Sequence, residues 1–265
     1  MFHPTSSLII STYNWPEALE LSLLSVMNQK LMPNEVIIAD DGSTEETKQL
    51  IESFQNKFPV PLIHIWHEDK GFHKAIIINK AVATSKFDYI IQVDGDIIMD
   101  SHFVNDHLMH AKKGVFLFGS RVNIKKSFLS KLFKKKIIKF NLFSVGINKR
   151  FRTIRIPLFT TYSKEYQKIS SKLRGCNLSF WKKDFIKING YNELFLGWGG
   201  EDYELCIRLY NNGIVGKRLK FAAVIYHIFH PESSKDNVAN NWAVQCESIE
   251  NKCLFTADGI DKYLK

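Results

Sequence analysis

Acidic residues are missing from one long stretch of this chain. Between His107 and Lys164 there is no Asp or Glu, yet fifteen Lys and Arg fall there. The whole chain carries 36 basic and 27 acidic residues, a net charge of +9. Taking the fifteen away leaves 21 basic against 27 acidic residues, a net of −6. The excess charge therefore belongs to one segment of an otherwise mildly acidic protein. Such a segment seeks a polyanion or an anionic membrane surface.

Other absences narrow the class. Cys176, Cys206, Cys246 and Cys253 are too few for a disulfide scaffold and show no CxxC spacing. A reduced, cytosolic setting is the simplest expectation. No window approaches eighteen uninterrupted apolar residues, so no spanning helix is expected. Met1-Phe2-His3-Pro4 offers neither a basic start nor an apolar signal core. Dinucleotide-binding GxGxxG, Walker, GxSxG and HExxH patterns are all missing. That weakens dehydrogenase, ATPase, serine-hydrolase and zinc-protease readings. With 45% hydrophobic and 24% charged residues the chain is not wholly disordered. Its 265 residues suffice for one large α/β domain or two small ones.

Strand and helix signals alternate through the first hundred residues. Apolar runs at Ser7–Ser11, Glu35–Asp40, Pro61–Trp66 and Tyr89–Val93 read as strands. Helices are expected from Pro16, from Glu45 to Phe58, and from about His73 to Ser85. This order implies a parallel sheet with helices on both faces. Ligands of such sheets bind at the carboxyl ends of the strands. Ser11-Thr12-Tyr13-Asn14, Asp40-Asp41 and Asp94-Gly95-Asp96 all fall at those ends. Val115–Ser120 and Phe221–Tyr226 read as further strands, and the tail from Asn237 to Lys265 as largely helical. In the basic segment, Phe128, Leu129, Leu132 and Phe133 can share one helix face beside lysines. That element packs on the domain by its apolar face, lies on a membrane surface, or meets a nucleic acid, though no recognised nucleic-acid motif accompanies it.

Several constellations can do chemistry. Asp94 and Asp96 flank a glycine directly after a buried strand, so both carboxylates can address one ligand. Hard oxygen donors in this form suit Mg²⁺ or Mn²⁺ with positions left for phosphates. His227 follows a strand and His230 lies three on, and either imidazole is a reasonable third ligand for Mn²⁺. Asp40 and Asp41 can accept from a pyrimidine ring N–H and a ribose hydroxyl. Lys70-Gly71-Phe72-His73-Lys74 opens a helix, where cations and backbone can approach a diphosphate. Gly197-Trp198-Gly199-Gly200-Glu201-Asp202 permits close backbone approach, offers an indole face for a sugar, and sets two acids at a helix start. A carboxylate there can take a proton from an attacking hydroxyl. Each motif also has a plain structural reading: a polar turn, a capped helix, a packed Trp, a core histidine.

Taken in order, DDGS, KGFHKA, DGD and then RGCNLSFWKKDF, NGYNE and GWGGEDYEL resemble the family 2 glycosyltransferases of the GT-A fold. The later block resembles the galactosyltransferase-type C-terminal segment found in animal β-1,4-galactosyltransferases and bacterial chondroitin-type polymerases. The two matches cover about residues 5–120 and 170–232. The resemblance implies a Rossmann-like, mostly parallel sheet in a single domain with a smaller acceptor-side portion. Residues 1–120 would bind the nucleotide sugar, 121–170 would form a basic insert with a membrane-facing role, and 171–265 would complete the acceptor side. It implies an inverting, metal-dependent transfer of one hexose or N-acetylhexosamine from a UDP-sugar to a hydroxyl of a saccharide, lipid-linked acceptor. Thr12, Asp40, Asp41, Lys74 and Asp94 would hold the nucleotide. Asp96, Asp94 and His227 would hold Mn²⁺ or Mg²⁺, with His230 as the alternative to His227. Asp202 would be the general base, and Trp198, Gly200, Glu201 and Asn177 would face the donor or acceptor sugar. The QxxRW pattern of processive synthases is missing, so one sugar per encounter is expected. The basic segment would keep the enzyme on the inner face of the cytoplasmic membrane, where no nucleic-acid partner is expected. The alternative is a GT-A-like protein that binds nucleotide or carbohydrate without catalysis.

Overall fold

The computed structural model describes residues 3–166, 170, 172–231 and 236–264, so Met1 and Phe2 of the N-terminal segment lie outside the described residues. Twelve strands are present among them. They are β1 (Ser6–Thr12), β2 (Glu35–Asp40), β3 (Leu62–Trp66), β4 (Tyr89–Asp94), β5 (Ile97–Met99) and β6 (Val115–Phe118), then β7 (Arg121–Ile124), β8 (Ile147–Asn148), β9 (Glu165–Tyr166), β10 (Leu178–Trp181), β11 (Val215–Arg218) and β12 (Ile225–His227). The helices are α1 (Pro16–Met27), α2 (Glu45–Gln55), α3 (Lys74–Thr84), α4 (Phe103–His110) and α5 (Leu129–Lys134), followed by α6 (Pro157–Thr161), α7 (Lys182–Lys187), α8 (Glu201–Asn211) and α9 (Val238–Glu250).

The large sheet runs β3-β2-β1-β4-β10-β6-β11-β9. Its first four strands are parallel, as the alternation of strand and helix signals requires. β1 and β2 are buried at every position, which is why they read as unbroken Leu, Ile and Val runs rather than alternating ones. Successive side chains still part to opposite faces. Leu8 and Ile10 join the core under α1, α2 and α4, whereas Ile9 joins the one under α3, α7 and α8.

Register fixes the ligand edge. Thr12 stands opposite Asp40 and Ser11 opposite Asp94. β1 lies between the strand ending in Asp40 and the strand ending in Asp94. β10 enters antiparallel between β4 and β6.

A second sheet, β5-β12-β7-β8, stands on that edge. β12 is antiparallel to β5, with His227 opposite Ile97, and parallel to β7, with His227 opposite Asn123. The strand expected from Phe221 begins only at Ile225. Phe221 and Ala223 sit at φ 58° and 49°, a left-handed conformation that no strand accommodates. The basic segment supplies two of the four strands here. Leu132 is fully buried, and α5 packs with Val122, Ile124 and Ile147 against Ala18 and Leu21 of α1. The charge of the basic segment is anchored by ion pairs: Lys112 Nζ lies 2.8 Å from Glu165, Lys136 Nζ lies 2.5 Å from Glu20, and Arg155 pairs with the buried Asp106. Among the described residues no helix is long and apolar enough to cross a membrane.

Candidate active site

Thr12, Asp41, Lys74, Asp94, Asp96, Trp198 and His230 line one cavity of about 280 Å³, together with Ser11, Tyr13, Trp15, Phe72 and Gly95. A second cavity of about 410 Å³ adjoins it through Phe72 and Trp198 and runs to Asn237.

The floor is an ion pair. Lys74, first residue of α3, places Nζ 2.8 Å from Asp94 Oδ1, which also accepts from the Ser11 hydroxyl at 2.9 Å. Burial disfavours the Lys74 ammonium, but the carboxylates of Asp94, Asp202 and Glu201 outweigh it and hold its pKa well above the ordinary value. Burial likewise disfavours the Asp94 carboxylate, and the Lys74 charge with the two hydrogen bonds reverses that, keeping Asp94 ionised.

Asp96 faces the other way. Its Oδ2 lies 3.2 Å from Nε2 of both His227 and His230. Its Oδ1 is buried without a hydrogen-bond partner. The backbone N–H of Ile228 donates to the Asp96 carbonyl at 2.9 Å, locking β12 beside the Asp-Gly-Asp turn. One carboxylate and two imidazoles, with ligand atoms within 4.8 Å of one another, form a site that a divalent ion fits. An orphaned buried carboxylate oxygen is costly without such a partner. Both histidines belong to this cluster, where one was expected to stand in for the other. Asp94 goes with Lys74 rather than with the histidines.

Asp41 keeps its place at the cavity, held by the His67 ring at 2.7 Å and the His73 N–H at 2.9 Å. Asp40 does not. It is fully buried, takes the His64 ring at 2.9 Å and caps Ser43 N–H at 2.8 Å, so its carboxylate is spent on the loop. Asn177 does not line the cavity either: it is fully buried and spends its amide on His107 and the Ala223 carbonyl.

Gly200 caps α8 at φ 97°, a conformation open to glycine. Gly200, Glu201, Asp202 and His227 do not line the smaller cavity themselves. Glu201 and Asp202 stand behind Lys74 and act on it through their charge. Glu201 is 6% exposed and accepts from Gly199 N–H at 3.1 Å. Burial, then the neighbouring Asp202 charge, push its pKa up to about 7. Asp202 Oδ1 accepts from the Tyr191 hydroxyl at 2.6 Å. Tyr191 is itself fully buried and accepts from Gln92 Nε2 at 2.9 Å. A Cβ at Gly175 would overlap the Asp202 carboxylate, so that glycine makes room for the acid. Trp198 is 45% exposed and lines both cavities.

Sequence reasoning missed Tyr191, Gln92 and His67. Tyr191 and Gln92 are uncharged residues, one inside NGYNE and the other inside β4, and His67 directly follows β3, where the strand-end rule applied to Asp40 would have found it.

A carboxylate–imidazole cluster, a buried lysine and a second acid pair at the ligand edge of a mostly parallel sheet define a transferase of the GT-A fold. The chain belongs to glycosyl transferase family 2, whose model matches residues 7–179, and it is an enzyme of the transferase class. A model described as the N-terminal domain of galactosyltransferase matches residues 156–231. Chondroitin synthase of Escherichia coli is 27% identical over 251 residues, covering 88% of this chain and 36% of that protein. The chain thus spans about a third of that relative's length. Among solved structures, S. aureus TarS superposes with a TM-score of 0.63 at 17% identity, over 93% of this chain and 40% of that one. The mannosyltransferase PcManGT from Pyrobaculum calidifontis, in complex with GDP-Man and Mn²⁺, gives a TM-score of 0.57 at 16% identity, over 94% of this chain and 63% of that one. These likenesses concern the fold.

Proposed function

We propose that this chain transfers one sugar, with inversion, from a UDP-hexose or UDP-N-acetylhexosamine to a hydroxyl of a lipid-linked saccharide in surface polysaccharide synthesis. The observation that carries the proposal is the orphaned Asp96 oxygen beside His227 and His230, on the wall of the cavity that Asp41 and Lys74 also line. Support for the sugar chemistry comes from the chondroitin synthase relative and the GDP-Man complex of the structural neighbour.

Asp41 accepts hydrogen bonds from the base or ribose, and Thr12 closes the floor beneath it. Lys74 sits where a diphosphate would gain a fixed cation. Asp96, His227 and His230 would hold the metal, and two imidazoles favour Mn²⁺ over Mg²⁺, which prefers all-oxygen ligands. When bound, that ion would supply Lewis-acid neutralisation of charge on the departing diphosphate. Trp198 offers a face on which the acceptor sugar stacks. Asp202, aimed by Tyr191, takes the acceptor proton while the hydroxyl oxygen bonds to the anomeric carbon. The bond from that carbon to the phosphate oxygen breaks, and its electron pair leaves with the nucleoside diphosphate. Attack from the face opposite the leaving group converts an α-linked donor into a β-linked product. The basic segment holds the enzyme at the anionic inner face of the membrane, where lipid-linked acceptors reside.

The test is nucleotide release over a panel of UDP-, GDP-, dTDP- and CMP-sugars with Mn²⁺, Mg²⁺ or EDTA. Metal-dependent release from a UDP-sugar, abolished by EDTA, is expected. Silence across the panel together with no metal-dependent UDP binding would leave the binding-protein alternative standing.

A further inference from the structure

Some apolar residues of the basic segment build the small sheet's core: Val122, Ile124, Leu132 and Ile147 are buried there. Others stand in water, among them Leu158, Phe159 and Tyr162 around α6 and three residues close together near β8. Phe143 is 84% exposed, Val145 75% and Phe151 73%. The fold does not use them.

These three residues lie on two turns that the structure ties together. The Arg150 guanidinium donates to the Leu142 carbonyl at 3.4 Å, setting the turn that carries Phe151 beside the one that carries Phe143. The first turn is closed within itself. Phe143 N–H donates to Asn141 Oδ1 at 2.9 Å, Asn141 N–H to Ser144 Oγ at 2.8 Å, and Ser144 N–H to the Asn141 carbonyl at 3.1 Å. These three N–H groups already have partners and can leave water without being orphaned. Around it stand exposed Lys139, Lys149, Arg150 and Arg152. Among the described residues no carboxylate pairs with Lys149, Arg150 or Arg152, and the nearest acid in sequence lies beyond Lys164 or before His107.

We infer that Phe143, Val145 and Phe151 form a wedge that inserts into the acyl boundary of an anionic bilayer, with the four cations at the headgroups. This deepens the membrane part of the proposed function and rests on it. Apolar side chains ringed by Lys and Arg are what an interfacial anchor requires. A nucleic acid fits less well, because Val145 offers no flat face to stack on a base. Position supports the assignment as well. The wedge grows out of β8, and β8 lies two strands from β12, roughly 10 Å at the usual strand spacing. β12 carries His227. A bilayer gripped at the wedge is thus held next to the strand that delivers the metal-site histidine.

Cosedimentation with vesicles of equal parts phosphatidylglycerol and phosphatidylcholine tests this. Wild type should bind these and ignore pure phosphatidylcholine. The variant Phe143→Ser, Val145→Ser, Phe151→Ser should bind roughly tenfold more weakly or worse, with an unchanged melting temperature. A Phe143→Trp variant gives an independent readout: its emission should shift to the blue on adding anionic vesicles. Wild type that ignores anionic vesicles overturns both the wedge and the membrane reading. Equal binding by wild type and the triple variant, with no blue shift, overturns the wedge and leaves the charge-based reading in place. Capture by an oligonucleotide without vesicle binding, or a dimer that the triple variant dissolves, also overturns it.

Discussion

Glu201 makes stability depend on pH in a way that one substitution exposes. Its carboxyl is raised from the ordinary 4.5 to about 7, first by burial and then by the Asp202 charge. The folded chain therefore holds this proton more tightly than the unfolded chain does. Its stabilising contribution is complete below about pH 4.5 and is lost as pH rises through 7. The gap between the two values, at about 1.36 kcal/mol per pH unit, corresponds to roughly 3 kcal/mol. Most of that change falls between pH 5 and pH 8. At about 2 °C per kcal/mol for a chain of this size, it amounts to roughly 5 °C in melting temperature. Glu201→Gln keeps the shape and an acceptor for Gly199 N–H but cannot ionise. Melting of both proteins by calorimetry at pH 5 and pH 8 isolates the effect, since every other titrating group is shared. The difference between wild type and variant should move by about that amount, with wild type losing ground at pH 8. Parallel curves for the two proteins would refute the burial argument.

Three further expectations concern other parts of the molecule. Tyr191→Phe removes the hydroxyl that holds Asp202 and should lower kcat by roughly tenfold to a hundredfold with KM for the donor little changed; an unchanged kcat would make Tyr191 a packing residue only. Asp96→Asn should abolish Mn²⁺ binding measured by calorimetric titration while leaving the fold intact by circular dichroism, because Asp96 is the single carboxylate of that cluster. Arg208→Leu should destabilise the chain by about 3–5 kcal/mol in denaturant titration, since it leaves Glu204, fully buried and bonded to Arg208 at 2.6 Å, without its counter-charge.

The parallel half of the fold was legible because its strands are buried on both faces and read as unbroken apolar runs. Strand ends then located Thr12, Asp41, Asp94 and Asp96 with no further information. Asp40 and Asn177 lie off the cavity for a reason their motifs hide: a polar residue looks the same in sequence whether its side chain faces a cleft or the protein's own groups. His64 and Ser43 decide the first case, and His107 with Ala223 the second. Pairing across long separations was likewise hidden. Nothing local says that β12 returns antiparallel to β5, yet that pairing sets both His227 and His230 on Asp96. Tyr191 stayed invisible because an uncharged hydroxyl in a packed segment gives no signal until its partner is seen.

The small sheet has a consequence for anyone who exchanges parts between such enzymes. The basic segment looks like a cassette when drawn along the chain. In space β7 is the parallel neighbour of β12, and Asp106 clasps both Arg155 and the N–H of Ala223 just ahead of that strand. Excising the segment would strip β12 of one flank and leave a buried carboxylate without its cation. The transplantable unit is thus the whole four-stranded sheet with its clasp, so a graft of the basic segment must also rebuild the strand that carries His227.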